Sequence, residues 1–501
     1  MTRGDGQLTT ELDPDQPGPR DACGVVGVWA PGEEVSKLTY FGLYALQHRG
    51  QEAAGIAVSD GSRTVVYKDL GLVAQVFDES TLAPLQGHMA IGHARYSTTG
   101  ASTWDNAQPT IRSTTTGTAI ALAHNGNLVN TADLLEEVDR LGVEMGENTS
   151  DTHLITALLT ARPDESVTAA AERVLPQLRG AFCLVFTDEN TLYAARDPQG
   201  VHPLVLGRLA SGWAVASETA ALDTIGAQFV REVEPGEMVA IDEYGLRSTR
   251  FANPEPKNCL FEYVYLARPD SNLAGRNVYA TRVEVGRVLA DEHPVEADLV
   301  IGVPESGIPA AIGYAEASGT PYGQGFTKNS YVGRTFIQPS QSLRQLGIRL
   351  KLNPLVDQIR GKRLVIVDDT IVRGNTQRAL VRMLREAGAV EVHIRISAPP
   401  VKWPCFYGID FATRAELIAG SLDVDGIRAQ IGADSLGYVS QQGLVRATEQ
   451  PASRLCMACF DGRYPIELPA ADLIGKHLLE SQSPTPQPTE ASTQVREGTT
   501  A

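Results

Sequence analysis

Short apolar runs alternate with polar turns along this chain, and their rhythm changes once. Residues 23–250 are dominated by runs rich in Val, Ile, Ala and Phe: CGVVGVWA at 23–30, AAGIAVS at 53–59, AIALAHNG at 119–126, AFCLVFTD at 181–188 and EMVAID at 237–242. Runs of that length bounded by turn residues predict strands. Apolar positions at helical spacing predict interleaved helices over 37–47 and 132–141. The segment ANPEPKN at 252–258 carries two prolines and reads as a linker. After it, ADLVIGV at 297–303 leads into a helical pattern over 308–317, and RLVIVDD at 363–369 leads into one over 377–387. EVHIRIS at 391–397 is a further strand. Strands alternating with helices predict an α/β unit with a mainly parallel sheet covered on both faces. The expected division is a leader at 1–22, a domain at 23–251, a second at 252–470, and an extension at 471–501. The extension is rich in Ser, Thr and Pro and is expected to be disordered from about 481.

Composition narrows the classes. The chain has 501 residues, enough for two large cores, with 43% hydrophobic and 21% charged residues. Acids outnumber bases by 60 to 43, for a net charge of -17, which gives no general electrostatic case for a nucleic-acid partner. The leader is polar and acidic, unlike a secretory or transit signal, and no run approaches the ~18 apolar residues of a membrane span. A soluble cytoplasmic protein with no membrane partner is expected.

The run LVIVDDTIVRGNT at 364–376 is the densest in chemistry. A buried strand ends in two acids, and a loop with Gly and Thr opens a helix. Ligands of open α/β sheets bind at such strand ends, and backbone N–H groups at a helix N-terminus cradle phosphate. Paired carboxylates hold Mg²⁺ and sugar hydroxyls. No GxxxxGK[ST] loop occurs, so this is not a nucleotide-triphosphate P-loop of that type. GVPESG at 302–307 is a second strand-to-helix loop, and KNSYVGRTF at 328–336 a polar, basic segment suited to a lid.

Together these three segments resemble the type I phosphoribosyltransferases, which use phosphoribosyl pyrophosphate (PRPP). The resemblance implies that Asp368 and Asp369 face the ribose hydroxyls and Mg²⁺, joined at the metal by Ser306. Arg373, Gly374, Asn375 and Thr376 would wrap the 5′-phosphate. Pro304, Glu305, Ser306 and Gly307 would form the pyrophosphate loop, and Lys328 would open the lid. This chain has Thr370 where many members have Ser, Asn375 where Thr is common, Glu305 where Asp is common, and Ser330 in place of a frequent Arg.

The first domain carries a different set: Cys23-Gly24 opening a strand, LQHRGQE at 46–52, GHARYST at 92–98, HNGN at 124–127 and NTSDT at 148–152. In this order they resemble the N-terminal-nucleophile glutamine amidotransferases, implying a four-layer αββα domain. Cys23 would be the nucleophile, with Asn125 and Gly126 as oxyanion donors. Arg95 would take the glutamine α-carboxylate, Asp151 its α-ammonium, and Arg49 would order the glutamine site. If residues 1–22 are removed, the freed α-amino group of Cys23 can serve as its own general base. No catalytic histidine is then needed, and His93 and His124 are expected to be structural.

Of six cysteines, Cys183 sits in an alternating strand and is expected in the core. Cys259, Cys405, Cys456 and Cys459 form a possible tetrathiolate set, equally suited by spacing to structural Zn²⁺ or to an iron–sulfur cluster. The two domains in this order resemble the amidophosphoribosyltransferases, one branch of which carries both a propeptide and a 4Fe–4S cluster on four such cysteines. That resemblance implies glutamine and PRPP as substrates, AMP and GMP as feedback inhibitors, and a homotetramer. A sugar-isomerase amidotransferase would leave VDDTIVRGNT unexplained, and a non-catalytic PRPP-binding regulator would leave Cys23 and its leader unexplained.

Overall fold

The computed structural model describes residues 22–96, 103–114, 116–145, 150–162, 164–328, 352–409 and 414–469. The segment before Ala22, the segment after Lys328 expected to form a lid, including Ser330, and the segment from 470 lie outside the described residues.

The amino-terminal half is two antiparallel sheets packed face to face. The first has seven strands, with Gly24–Trp29 between Met89–Arg95 and Trp213–Ala216. The second has six, with Ala119–Leu128 beside Gly180–Thr187. Alternation drives the sandwich: Val25, Ile91, Ala123, Cys183 and Val185 point between the sheets and form one buried core. The opposite faces are also apolar, and each is covered by helices. Val35–Ala45 packs beneath the first sheet, and Thr131–Arg140, Asp151–Thr160 and Val167–Val174 pack over the second. The result is four layers, αββα, as expected. The predicted helices at 37–47 and 132–141 form at Val35–Ala45 and Thr131–Arg140.

The carboxyl-terminal half is built on a four-stranded, wholly parallel sheet in the order Leu299–Gly302, Arg363–Asp368, Glu391–Ile396, Ser435–Tyr438. Leu364, Val365, Ile366 and Val367 are all buried, as a central strand covered on both faces requires. Helices Val278–Glu292 and Ile308–Ser318 cross closely because Gly286 and Gly313 face each other's backbone. A methyl on Gly313 would lie 1.8 Å from Val283 O. The predicted linker is extended and pinned: Glu255 and Lys257 donate to Pro198 O and Gln199 O at 2.8 and 2.7 Å. It ends at Asn258–Cys259, which pairs in parallel with Leu455–Cys456. No helix among the described residues is long and apolar enough to cross a membrane.

Candidate functional sites

Cys23 precedes the first strand, 5% exposed, with its neighbour Ala22 fully buried. Its thiol donates to Tyr96 O at 3.1 Å, and Tyr96 N–H approaches Sγ at 3.3 Å. Burial pushes the thiol up to about 11, against the lowering pull of the Tyr96 hydrogen bond and the Arg95 charge. Arg95, Glu52 and Asp151 all act electrostatically on Cys23, so these groups share one buried neighbourhood. Burial lowers Arg95, while Cys23, Glu52 and Asp151 favour its charge. For Asp151, burial favours the neutral acid but is outweighed by His124 and by N–H donors from Leu128 and Thr152 at 3.1 and 2.9 Å, so the group is held below the usual carboxylate range.

Asn125 is fully buried, and among the described residues neither atom of its side-chain amide has a hydrogen-bond partner. An unpaired buried amide is costly and marks a place where a ligand's polar atom belongs. Beside it, Gly126 has φ +144°, and a methyl there would lie 2.0 Å from Ala181 O, so only glycine fits. His93 Nε2 donates to His124 O at 3.0 Å, and burial lowers its pKa to about 3; it is a neutral ring inside the sheet. Cys183 is fully buried beside His202 O and Pro203 O, in the core as expected.

Arg49 is committed to buried carboxylates. Its guanidinium lies between two buried carboxylates, bonding Glu218 through Nε and Glu262 Oε2 at 2.6 Å. Glu218 also accepts from Ser271 Oγ at 2.6 Å and Arg268 N–H at 2.9 Å, both from the second half of the chain. Glu262 meets His202 Nδ1 at 2.9 Å. Both acids are held below the usual carboxylate range: burial opposes their ionisation, and the Arg49 charge overrides it. The structure thus places Arg49, expected to order the glutamine site, in a buried network that joins the two halves of the chain. Glu218, Glu262 and His202 were not singled out from the sequence. A signal was available for two of them, since Glu262 and His202 are lone ionisable residues in the largely apolar runs LFEYVYL and VHPLVL.

The second site stands at the carboxyl ends of the parallel strands. Asp369 accepts from Ser306 Oγ and Thr370 Oγ1, each at 2.6 Å, which joins the two strand-to-helix loops. Asp368 accepts from Asp369 N–H and Gln377 Nε2, both at 3.0 Å. Burial and then the neighbouring Asp369 charge push Asp368 well above the usual carboxylate range. Gly374, at φ +80°, turns the chain into helix Asn375–Glu386, whose first turn has no side-chain cap. Its backbone N–H groups are oriented to receive an anion, with Asn375 and Thr376 half-buried alongside. Arg373 pairs with Glu416 at 3.0 Å. Glu305 and Lys328 pair at 3.3 Å across the mouth, and Gly307 packs so tightly that a methyl would lie 2.4 Å from Val367 O. Pro304 opens this loop through a cis peptide to Glu305.

The four remaining cysteines converge. Cys259 and Cys456 are register partners, and Cys459 O accepts from Lys402 N–H at 2.9 Å and Trp403 N–H at 3.1 Å, bringing the Cys405 loop alongside. Burial, then the charges of Cys456, Glu262, Cys405 and Cys459, push Cys259 well above its ordinary value, and burial pushes Cys456 up to about 12. No disulfide joins them. Among the described residues no set of three or more His, Cys, Asp or Glu side chains stands in metal-holding geometry. The donor chemistry fits a metal group nonetheless, because four neighbouring sulfurs oppose one another's ionisation and a bound cation reverses that.

Comparison with known proteins agrees with this two-part layout. The family description "Glutamine amidotransferase domain" matches residues 93–224, and "Phosphoribosyl transferase domain" matches 284–399. An amidophosphoribosyltransferase of Mycobacterium tuberculosis is 66% identical over 489 residues, covering 95% of this chain and 93% of that one. The Bacillus subtilis amidophosphoribosyltransferase is 46% identical over 93% of this chain and 98% of its own length. A solved structure of the "allosteric regulatory enzyme of purine biosynthesis" superposes with a TM-score of 0.86 at 46% identity, covering 91% of this chain and 99% of that one. A Bacillus subtilis glutamine PRPP amidotransferase complexed with ADP and GMP gives 0.85 at 46% identity, covering 90% and 98%.

Proposed function

The chain belongs to the amidophosphoribosyltransferase family, and from that premise we propose how its own residues divide the first step of purine biosynthesis. Glutamine, PRPP and water give 5-phospho-β-D-ribosylamine, glutamate and pyrophosphate. Cys23 Sγ attacks the glutamine side-chain carbonyl, the γ-glutamyl thioester forms, and ammonia leaves with the thiol proton. Water then cleaves the thioester. The observation that carries this reading is the fully buried amide of Asn125, without a partner among the described residues, on the strand whose Leu128 N–H bonds the Asp151 that acts on Cys23: an oxyanion donor awaiting a carbonyl oxygen. Gly126 N–H would supply the second donor, Arg95 the fork for the α-carboxylate, and Asp151 the acceptor for the α-ammonium. Arg49 would order the boundary behind them.

A thiol held near about 11 is a poor nucleophile at neutral pH. Release of residues 1–22 as a propeptide would free the α-amino group of Cys23 as general base, so the longer chain would be an inactive precursor. Ammonia would then pass to the second site and attack C1 of PRPP as pyrophosphate departs. There Arg373, Gly374, Asn375 and Thr376 would hold the 5′-phosphate, and Pro304, Glu305, Ser306, Gly307 and Lys328 would face the pyrophosphate. Asp368, Asp369 and Ser306 would hold Mg²⁺, whose bound charge offsets that of the departing pyrophosphate. Cys259, Cys405, Cys456 and Cys459 would hold a 4Fe–4S cluster, with Zn²⁺ the alternative, tying the linker to the carboxyl-terminal loops. AMP and GMP inhibition, a homotetramer and a cytoplasmic location complete the proposal.

The test is stoichiometry. Matured protein given glutamine, PRPP and Mg²⁺ yields glutamate and pyrophosphate in equal amounts, with the glutamine amide nitrogen in the phosphoribosylamine. Glutamate without pyrophosphate contradicts the reading.

A further inference from the structure

The strand that carries the candidate oxyanion donors is held from outside its own domain. Asn127 Nδ2 donates to Phe406 O at 3.1 Å across the boundary. Gly408, at φ +114°, lies flat against Gly126: a methyl on Gly408 would stand 3.2 Å from Gly126 Cα and 3.0 Å from His202 Nε2. Between these contacts, Tyr407 O accepts from His202 Nε2 at 2.7 Å, while His202 Nδ1 donates to Glu262 Oε1 at 2.9 Å. A carbonyl and a carboxylate can only accept, so the ring donates from both nitrogens. Glu262 continues the connection to Arg49. His202, Glu262 and Arg49 are all buried, so the contacts are dry and each is costly to lose.

Gly126 is thereby clamped on two sides. One side is the ladder, where it pairs with Phe182 and meets Ala181 O. The other is Gly408, which also lacks a side chain, so backbone lies on backbone. The ladder fixes the strand's position, but a glycine at φ +144° keeps rotational freedom that no other residue there would have. An oxyanion donor works only if its direction is fixed before the charge develops. The clamp removes that freedom.

We propose that segment 406–408, tied down by His202, is a positioning element for the oxyanion turn at 125–127, so that a piece of the second domain sets the rate of glutamine cleavage in the first. This rests on the reading of Asn125 and Gly126 as oxyanion donors. Neither His202 nor Gly408 touches substrate; both act through Gly126.

The experiment compares Gly408→Ala and His202→Gln in the full matured chain, with Asn125→Ala as the reference. Both boundary variants are expected to lower kcat for the glutamine-dependent reaction about 10- to 100-fold, with KM for glutamine and the ammonia-dependent reaction each within about twofold. Labelling of Cys23 by a diazoketone analogue of glutamine, whose carbonyl uses the donors, slows in parallel, while labelling by iodoacetamide does not. Wild-type glutamine turnover in both variants, a rise in KM alone, or an equal fall in ammonia-dependent activity overturns the proposal. If Asn125→Ala loses glutamine turnover while both boundary variants keep it, only the positioning role falls. If Asn125→Ala keeps full turnover, the assignment of the donors falls first.

Discussion

The two sites of this chain are built on opposite plans. Around Cys23 the groups are enclosed before any substrate arrives: Cys23, Arg95, Asn125 and Asp151 are each 5% exposed or less, inside an antiparallel sandwich. Around Asp369 the acids are buried together with Thr370 and Gln377, but the side chains of Glu305 and Lys328 at the mouth are 73% and 34% exposed. The first site is a dry, fixed array in which an unmet hydrogen bond retains most of its strength. The second is an open edge of a parallel sheet, where loops carry the binding groups and a highly charged ligand must draw them together. A closed site is limited by what unmasks its nucleophile; an open one is limited by what its ligand organises.

The largest expected effect breaks that division at the open site. Asp369→Asn removes the charge and one of the two acceptor oxygens that join Ser306 to Thr370, and is expected to lower pyrophosphate release about 10³-fold from glutamine and from ammonia alike. Steady-state rates with each nitrogen source check it, and loss with only one source would contradict a shared second site. Asn125→Ala is next, with glutamine-dependent turnover expected to fall about 10²–10³-fold and ammonia-dependent turnover to stay unchanged. Glu262→Gln then tests the boundary. With the charge gone and one acceptor oxygen replaced by an NH2 donor, Arg49 and His202 lose their shared anionic partner, and thermal or denaturant unfolding is expected to show about 3 kcal/mol of destabilisation. The mildest prediction needs no mutation. While the leader is attached, Cys23 has no free amine and alkylation by iodoacetamide should rise with pH toward a midpoint near about 11; once Cys23 is the terminus, the midpoint should lie lower.

The open site was the more legible of the two in the sequence. Its parts are contiguous: a strand, an acid pair, a glycine and a helix, each with a local signal, so LVIVDDTIVRGNT predicts both element and chemistry. Even there the helix starts at Asn375, two residues before the apolar period begins, because Gly374 and the anion-facing turn set its start rather than its buried face. The fourth parallel strand, Ser435–Tyr438, was not anticipated; its pattern is too short and mixed to stand out. The closed site was legible as a list of motifs but not as a geometry. Arg49 lies in LQHRGQE, but its partners Glu218 and Glu262 are 169 and 213 residues away, beyond the reach of any local pattern. Likewise, spacing gathers Cys456 and Cys459, but only tertiary pairing brings Cys259 to them. Contacts between distant parts of a chain leave no periodic trace, and the boundary network is made of such contacts.

The claim that one chain houses two separable half-reactions is tested most directly by Cys23→Ala in the matured protein. The account predicts that ammonia-dependent pyrophosphate release from PRPP is retained, while the glutamine-dependent reaction falls to background. Survival of both activities, or loss of both in a folded protein, would contradict it.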